Sequence, residues 1–227
     1  MAGSGGDTPG LRARLWDAPV RIGHWLIVLL AAAAWFTAEI GRMELHRRCG
    51  YGVLGLVLFR LYWGFAGSES ARFASFLKGP RAVAAYARTL GRRAPSETAG
   101  HNPLGAWSVA ALLAALAAEA GFGLFAVDVD GIESGPLSRF VDFDAGRRAA
   151  ALHALAFTAL QALVVLHLAA AVFYLAYKRQ DLIGPMITGR RRFAVDPDLK
   201  FAPAWRAAAG ALAAAALVWF VARGLRM

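Results

Sequence analysis

The sequence predicts an all-α integral membrane protein, a four-helix bundle followed by a fifth, carboxy-terminal membrane helix. Three observations carry this. Of 227 residues, 58% are hydrophobic and 18% charged, where a typical soluble domain is about 45–50% apolar and about 25% charged. The apolar residues collect in runs that reach the roughly 20 residues needed to cross the hydrocarbon as a helix. The excess charge, +10 from 25 Lys and Arg against 15 Asp and Glu, is spread between those runs. A chain this basic can also bind nucleic acid, but the absence of a single basic stripe excludes nucleic acid as a partner and fits loops at a bilayer surface. Cys49 is the single cysteine. It excludes an internal disulfide, a Cys-ligated iron–sulfur cluster and a covalently attached haem, which needs C-x-x-C-H.

The first span is expected over about residues 19–40 and is uncharged from Ile22 to Ala38. The second, about 45–66, is interrupted by Arg60, and the third, about 103–127, carries Glu119. The fourth, about 148–177, is uncharged from Ala149 onward and the strongest; the Ala-rich fifth, about 203–222, is the weakest. Asp17-Ala-Pro and Asn102-Pro103 each set a capping residue before an early-helix proline. A cleaved signal peptide is not expected: the run after Arg21 is too long for an h-region and lacks a small-residue cleavage pattern.

Basic residues near the spans set orientation. Sixteen belong to the amino terminus, the loop between spans two and three, and the segment after span four; eight lie on the opposite side, whose larger loop holds Asp128, Asp130, Glu133, Asp142 and Asp144. The amino terminus is therefore expected in the cytoplasm and, with five spans, the carboxyl terminus outside. The expected organisation is a cytoplasmic tail (1–14), a main transmembrane domain (15–192) and a linker with the fifth helix (193–227).

Four of the five histidines fall within spans. His153 and His167 are 14 residues apart on one helix, about 21 Å of rise and within roughly 40° of the same face. His24 begins span one at cytoplasmic depth and His46 opens span two at periplasmic depth, so the natural pairs are His24 with His167 and His46 with His153. A lone membrane histidine can simply hydrogen-bond a neighbouring helix. Two stacked pairs, each joining two helices, suit iron in two non-covalent b haems ligated from both faces. Zinc requires three or four ligands per site, and neither pair has an accompanying H-E-x-x-H, Cys, Asp or Glu. His101 precedes Asn102-Pro103 in a loop and is expected at a helix start rather than as a ligand.

Arg60 lies 14 residues after His46, on the same face at the depth of the cytoplasmic pair. An unpaired arginine in a span costs about 2.5–3.5 kcal/mol on insertion scales. A haem propionate would offset that cost, and Arg21 could serve the same edge; the alternative is that Arg60 snorkels to the headgroups. Gly50, Gly52 and Gly55 would let a flat macrocycle approach the backbone, although glycine is equally common in membrane helix packing.

The motifs W-D-A-P-V-R-I-G-H-W (16–25), H-R-R-C-G-Y-G (46–52) and F-R-L-Y-W-G-F-A-G-S (59–68) occur in order. They are followed by R-F-A-S-F (72–76), G-H-N-P-L-G (100–105), the His153/His167 pair and P-M-I-T-G-R-R-R (185–192). Over residues 15–192 the chain thus resembles the bacterial cytochrome b561 family, related to the b-type cytochrome subunit of nickel–iron hydrogenases. The resemblance implies a four-helix core holding two b haems, one per side of the membrane, with ligands carried to His24, His46, His153 and His167.

Bis-histidine iron has no open position, so electron transfer is the expected task. The leading expectation is a multi-pass inner-membrane cytochrome linking the quinone pool to a periplasmic redox partner such as a cytochrome c, either as a monomer or as a homodimer. An alternative is a haem-bearing anchor subunit of a hydrogenase-like or other oxidoreductase complex. A second alternative is a non-redox transporter or scaffold. For quinone, Glu119 offers a proton relay or an ordinary helix-pairing contact; His101 and Arg72 are weaker candidates.

Overall fold

The computed structural model describes residues 11–96 and 98–226; residues 1–10 of the expected tail lie outside them. Five long helices dominate: α1 (Ala18–Glu39), α2 (Met43–Ala66), α5 (Pro103–Phe125), α6 (Phe143–Ala176) and α8 (Ala204–Ala222). Three short ones, α3 (Phe73–Phe76), α4 (Pro80–Ala87) and α7 (Ile183–Thr188), occupy the connections. Strands β1 (Leu11–Arg14) and β2 (Arg190–Phe193) pair antiparallel, so the last residues of the expected tail are part of the folded unit. All five long helices have the length and apolar composition to cross a membrane. Large apolar side chains such as Phe36, Val165, Val172 and Leu212 are exposed on their outer faces, which places them against lipid.

The caps follow the sequence. Asp17 accepts from Val20 N at 2.9 Å, Asn102 from Gly105 N at 2.8 Å and Asp142 from Ala145 N at 2.7 Å. The Asp142 cap starts α6 five residues before the expected Arg148. Arg147 and Arg148 mark the edge of the hydrocarbon, not the end of the helix, which at 34 residues spans about 51 Å and extends well beyond the roughly 30 Å apolar slab.

Between α1 and α2 the chain reverses in three residues. Arg42 N donates to Thr37 O at 2.8 Å and Gly41 N to Ala38 O at 3.0 Å, the paired bonds of a Schellman motif, and Gly41 takes φ +69°. A Cβ here would meet nothing within 4 Å, so the cost of Gly41→Ala is purely conformational. We expect a loss of about 1 kcal/mol, read as a lowered thermal midpoint.

α2 is the hub, packing against α1, α5 and α8, while α6 packs mainly on α5. Val53 and Val57 of α2 meet Leu116 of α5 and Leu160 of α6 in one core cluster. Gly210 lets α8 seat against Tyr62 of α2, whose hydroxyl donates to Arg206 O at 3.2 Å. At the end where α1 starts, the loop before α5 is tied to the end of α6. Lys178, 3% exposed, donates to Thr89 O at 3.0 Å and Arg92 O at 2.6 Å, and Arg191 donates to Thr98 O and Ser96 O. Two charges counted as topology signals are thus also structural. This end also carries the β1–β2 sheet and is called the arginine-rich end below.

Candidate functional site

Two histidine pairs bridge the bundle, one towards each end. His24 on α1 and His167 on α6 have ring centres 6.4 Å apart with planes at 49°. His46 on α2 and His153 on α6 are 6.0 Å apart with planes at 87°. α1 and α6 approach each other through side chains rather than close backbone contact; between the two pairs, Trp35 and Phe157 meet at 5.8 Å.

These separations test whether iron in a macrocycle fits. A metal–imidazole bond is about 2 Å and the ring centre lies about 1.1 Å beyond the nitrogen, so two trans imidazoles have ring centres about 6.2 Å apart. Both pairs match this spacing. Among the described residues no group of three or more His, Cys, Asp or Glu side chains is placed to hold a metal ion, although, contrary to the sequence expectation, a carboxylate, Glu119, does accompany the His46/His153 pair.

Hydrogen bonds orient two of the rings. His46 Nδ1 lies 2.9 Å from Ala34 O and His153 Nδ1 lies 2.8 Å from Glu119 O. With Nδ1–H donating to a carbonyl, Nε2 is left as the free nitrogen, the arrangement that fixes the tautomer of a ligating histidine. Gly123 makes room for the His153 ring: a Cβ there would stand 3.1 Å from Cε1. The Glu119 carboxyl approaches His153 Nε2 at 3.3 Å, so ligation through this nitrogen requires that carboxyl to turn aside.

Unsatisfied polar atoms concentrate at the arginine-rich end. Arg21 Nε, His24 Nδ1, Arg60 Nη1, Ser70 Oγ and His101 Nδ1 are buried without a hydrogen-bond partner. Elsewhere among the described residues only Glu119 Oε2 and Asp128 Oδ1 share that condition. A buried donor without an acceptor costs about 1–3 kcal/mol, more when charged. Arg21, Arg60 and His101 around the His24/His167 pair therefore fit an anionic group such as a porphyrin carboxylate. Arg21 also donates through Nη1 to Ile187 O. Gly189, at φ +78°, keeps its seat open, since a Cβ there would lie 3.0 Å from Arg21 Nε. The Arg60 guanidinium sits 5.1 Å over the Phe73 ring.

His101 is held between Trp16 and Phe76, each with ring centres at 4.8 Å. Desolvation first, and the charge of Arg60 second, hold its pKa well below the ordinary 6.5, so the imidazole is neutral. The sequence placed His101 at a helix start, which is where it is; that Trp16 and Phe76 close over it, and that Ser70 also points inward, is not visible in the spacing of residues. The glycines near His46 divide. Gly52 faces Leu30 and Gly55 faces Val218, as in helix packing, whereas Gly50 adjoins open space.

At the opposite end, Arg47 pairs with Glu133 and, at 2.9 Å, with Glu44, while Arg147 donates to Val127 O at 2.7 Å. The acidic loop is thus partly neutralised from within.

The model of the prokaryotic cytochrome b561 family matches residues 15–189, a stretch that contains all four paired histidines. No curated relative and no solved structure matches the chain. Members of the matched family bind b-type haem within a helical membrane bundle and carry electrons. With more than half of its length matched, this multi-pass membrane chain belongs to the prokaryotic cytochrome b561 family and is a b-type cytochrome of electron transfer.

Proposed function

We propose that the chain carries electrons across the bacterial inner membrane between the quinone pool and a periplasmic redox partner such as a cytochrome c, through two non-covalent haems b. His24 and His167 hold the haem at the arginine-rich end, which faces the cytoplasm, and His46 and His153 hold the periplasmic one. The observation that carries this reading is two imidazole pairs with ring centres 6.4 and 6.0 Å apart, one towards each end of the bundle. With both histidines of a pair holding it, a bound haem would supply one-electron transfer rather than oxygen chemistry. Residues 15–192 form the diheme unit, and α8 is an accessory helix braced on α2.

The chain's own groups set spacing, tautomer and charge. Ala34 O and Glu119 O orient the periplasmic imidazoles. Arg21 and Arg60 neutralise the propionate edge of the cytoplasmic haem. Glu119, beside His153, is placed to accept a proton from a quinol oxidised at that end. The test is a reduced-minus-oxidised spectrum with haem counting on purified protein, then titration with quinol and cytochrome c. Two low-spin b haems reducible by quinol are expected; a chain with no reducible haem overturns the reading.

Removing Arg60 takes one positive charge from beside a haem, which favours the ferric state. Arg60→Ala is expected to lower the potential of one haem by roughly 40–80 mV, the equivalent of about 1–2 kcal/mol in a one-electron couple, without loss of haem. Redox titration of the purified variant measures it. Unchanged potentials would retire the propionate role.

The second reading, a haem-bearing anchor for another oxidoreductase, is favoured by one observation. Val129 and Ile132 are 72% and 81% exposed at the tip of the loop between α5 and α6. Gentle co-purification separates the two: a stoichiometric catalytic subunit, lost with Val129→Ser/Ile132→Ser, supports the anchor.

A further inference from the structure

β1 and β2 hold like charges opposite one another. The register sets Arg12 against Arg192 and Arg14 against Arg190, so the four side chains project from one face of the ribbon. All four residues are exposed, whereas Ala13, Arg191 and Phe193 on the other face are half-buried. Like charges directly opposite each other destabilise a sheet. Among the described residues no carboxylate pairs with any of the four. Such a register is relieved by an anion lying across it.

Arg14 of the same ribbon lines a groove of about 990 Å³ between α1, α2 and α8. Arg14 stands at its mouth, its guanidinium 4.2 Å over the Phe201 ring. Asp17 also lines the mouth, but it is 2% exposed and its oxygens are taken by Val20 N and Trp63 Nε1. Below them the walls are largely apolar, small at Gly52, Gly55, Ala208, Ala211 and Ala215 and large at Leu26, Phe59 and Trp219. Along α8 the lining runs from Ala204 to Trp219, about 22 Å, longer than the roughly 15 Å depth of one leaflet. Water finds few partners along these apolar walls, so the groove suits hydrocarbon.

We infer that the arginine ribbon and the groove form one site for an anionic phospholipid, its phosphate across Arg12, Arg14, Arg190 and Arg192 and its acyl chains between α1, α2 and α8. Charge complementarity selects this occupant. A quinone has the apolar tail but only neutral carbonyl acceptors, with no charge to set against four guanidinium groups, and a zwitterionic lipid brings its own cation to them.

The test uses the full-length, haem-loaded chain reconstituted in vesicles of phosphatidylcholine and phosphatidylglycerol. The chain is extracted in mild detergent and its retained lipid is read by native mass spectrometry. Phosphatidylglycerol is expected to be retained over phosphatidylcholine. Arg14→Gln/Arg192→Gln is expected to weaken that retention about 30-fold, from about fivefold per arginine at an anionic surface, with the haem spectrum unchanged. Ala211→Phe fills the groove without altering charge and is expected to lose the lipid as well; it decides the matter alone if the double variant fails to insert. Equal retention of both lipids, or retention unchanged in Ala211→Phe, overturns the site. Displacement by inorganic phosphate assigns the arginines to a free anion, and displacement by quinol assigns the groove to a quinone; either outcome also overturns it.

Discussion

Replacing His167 with Ala is expected to remove the haem at the arginine-rich end and leave the other, so that bound haem falls from about two to about one per chain. The haem has no covalent tether here, because the single Cys49 cannot supply the thioether links of C-x-x-C-H. On the proposed pairing its retention would rest on His24, His167 and packing, and without His167 the His24 ring has no partner at 6.4 Å. His24→Ala should give the same stoichiometry as His167→Ala, and the double variant should be no worse than either. Combining His167→Ala with His153→Ala should leave no haem. This non-additive pattern within a pair and additive pattern between pairs is what a merely structural histidine would not produce. Pyridine haemochrome counting on purified variants reads it. In proteoliposomes, electron transfer across the bilayer should fall to background in each single variant, because one centre cannot span the roughly 21 Å between the two depths. Two haems retained in His167→Ala would sink the pairing.

The membrane helices and the juxtaposition of the histidines were legible because both depend on periodicity. Apolar runs of about 20 residues report the hydrocarbon, and 14 residues on α6 is near four full turns, so depth and face could be read by counting. The start of α6 was not: Arg147 and Arg148 stopped the apolar run at the membrane surface, while Asp142 started the helix beyond it. The surroundings of the arginine-rich pair were legible only in part. Arg21 and Arg60 sit on helices and could be placed by spacing. His101 and Ser70 sit in the segment between α2 and α5, whose path depends on long-range contacts such as Tyr86 with Tyr174 at 2.8 Å and Asn102 with Tyr174 at 2.9 Å. The β1–β2 ribbon was hidden for the same reason. Two four-residue strands nearly 180 residues apart show no pattern until α1 and α6 bring their ends together, and their arginines read as topology alone.

Asp17→Ala is expected to be the most damaging change outside the histidines. Asp17 is 2% exposed. One oxygen caps α1 through Val20 N, and the other accepts from Trp63 Nε1 at 2.9 Å, where Trp63 is 1% exposed. Alanine removes a cap worth about 1 kcal/mol and leaves a buried indole N–H unpaired at a further cost of about 1–3 kcal/mol. The total is about 2–4 kcal/mol, or roughly 5–15 °C in thermal midpoint for a chain of this size. Asn retains one accepting oxygen and should fall between the two. The damage should also be local. His24 lies seven residues after Asp17, about two turns along the same face, and Trp16 beside it packs on His101. Loosening the start of α1 therefore disturbs the His24/His167 pair before the His46/His153 pair. On heating, Asp17→Ala should lose its two haems at separate temperatures, the arginine-rich one first, as followed by haem absorbance and near-ultraviolet circular dichroism. Simultaneous loss of both, or an unshifted midpoint, would show that α1 is anchored by its apolar face alone and that the Asp17–Trp63 bond contributes nothing to holding His24 at its depth.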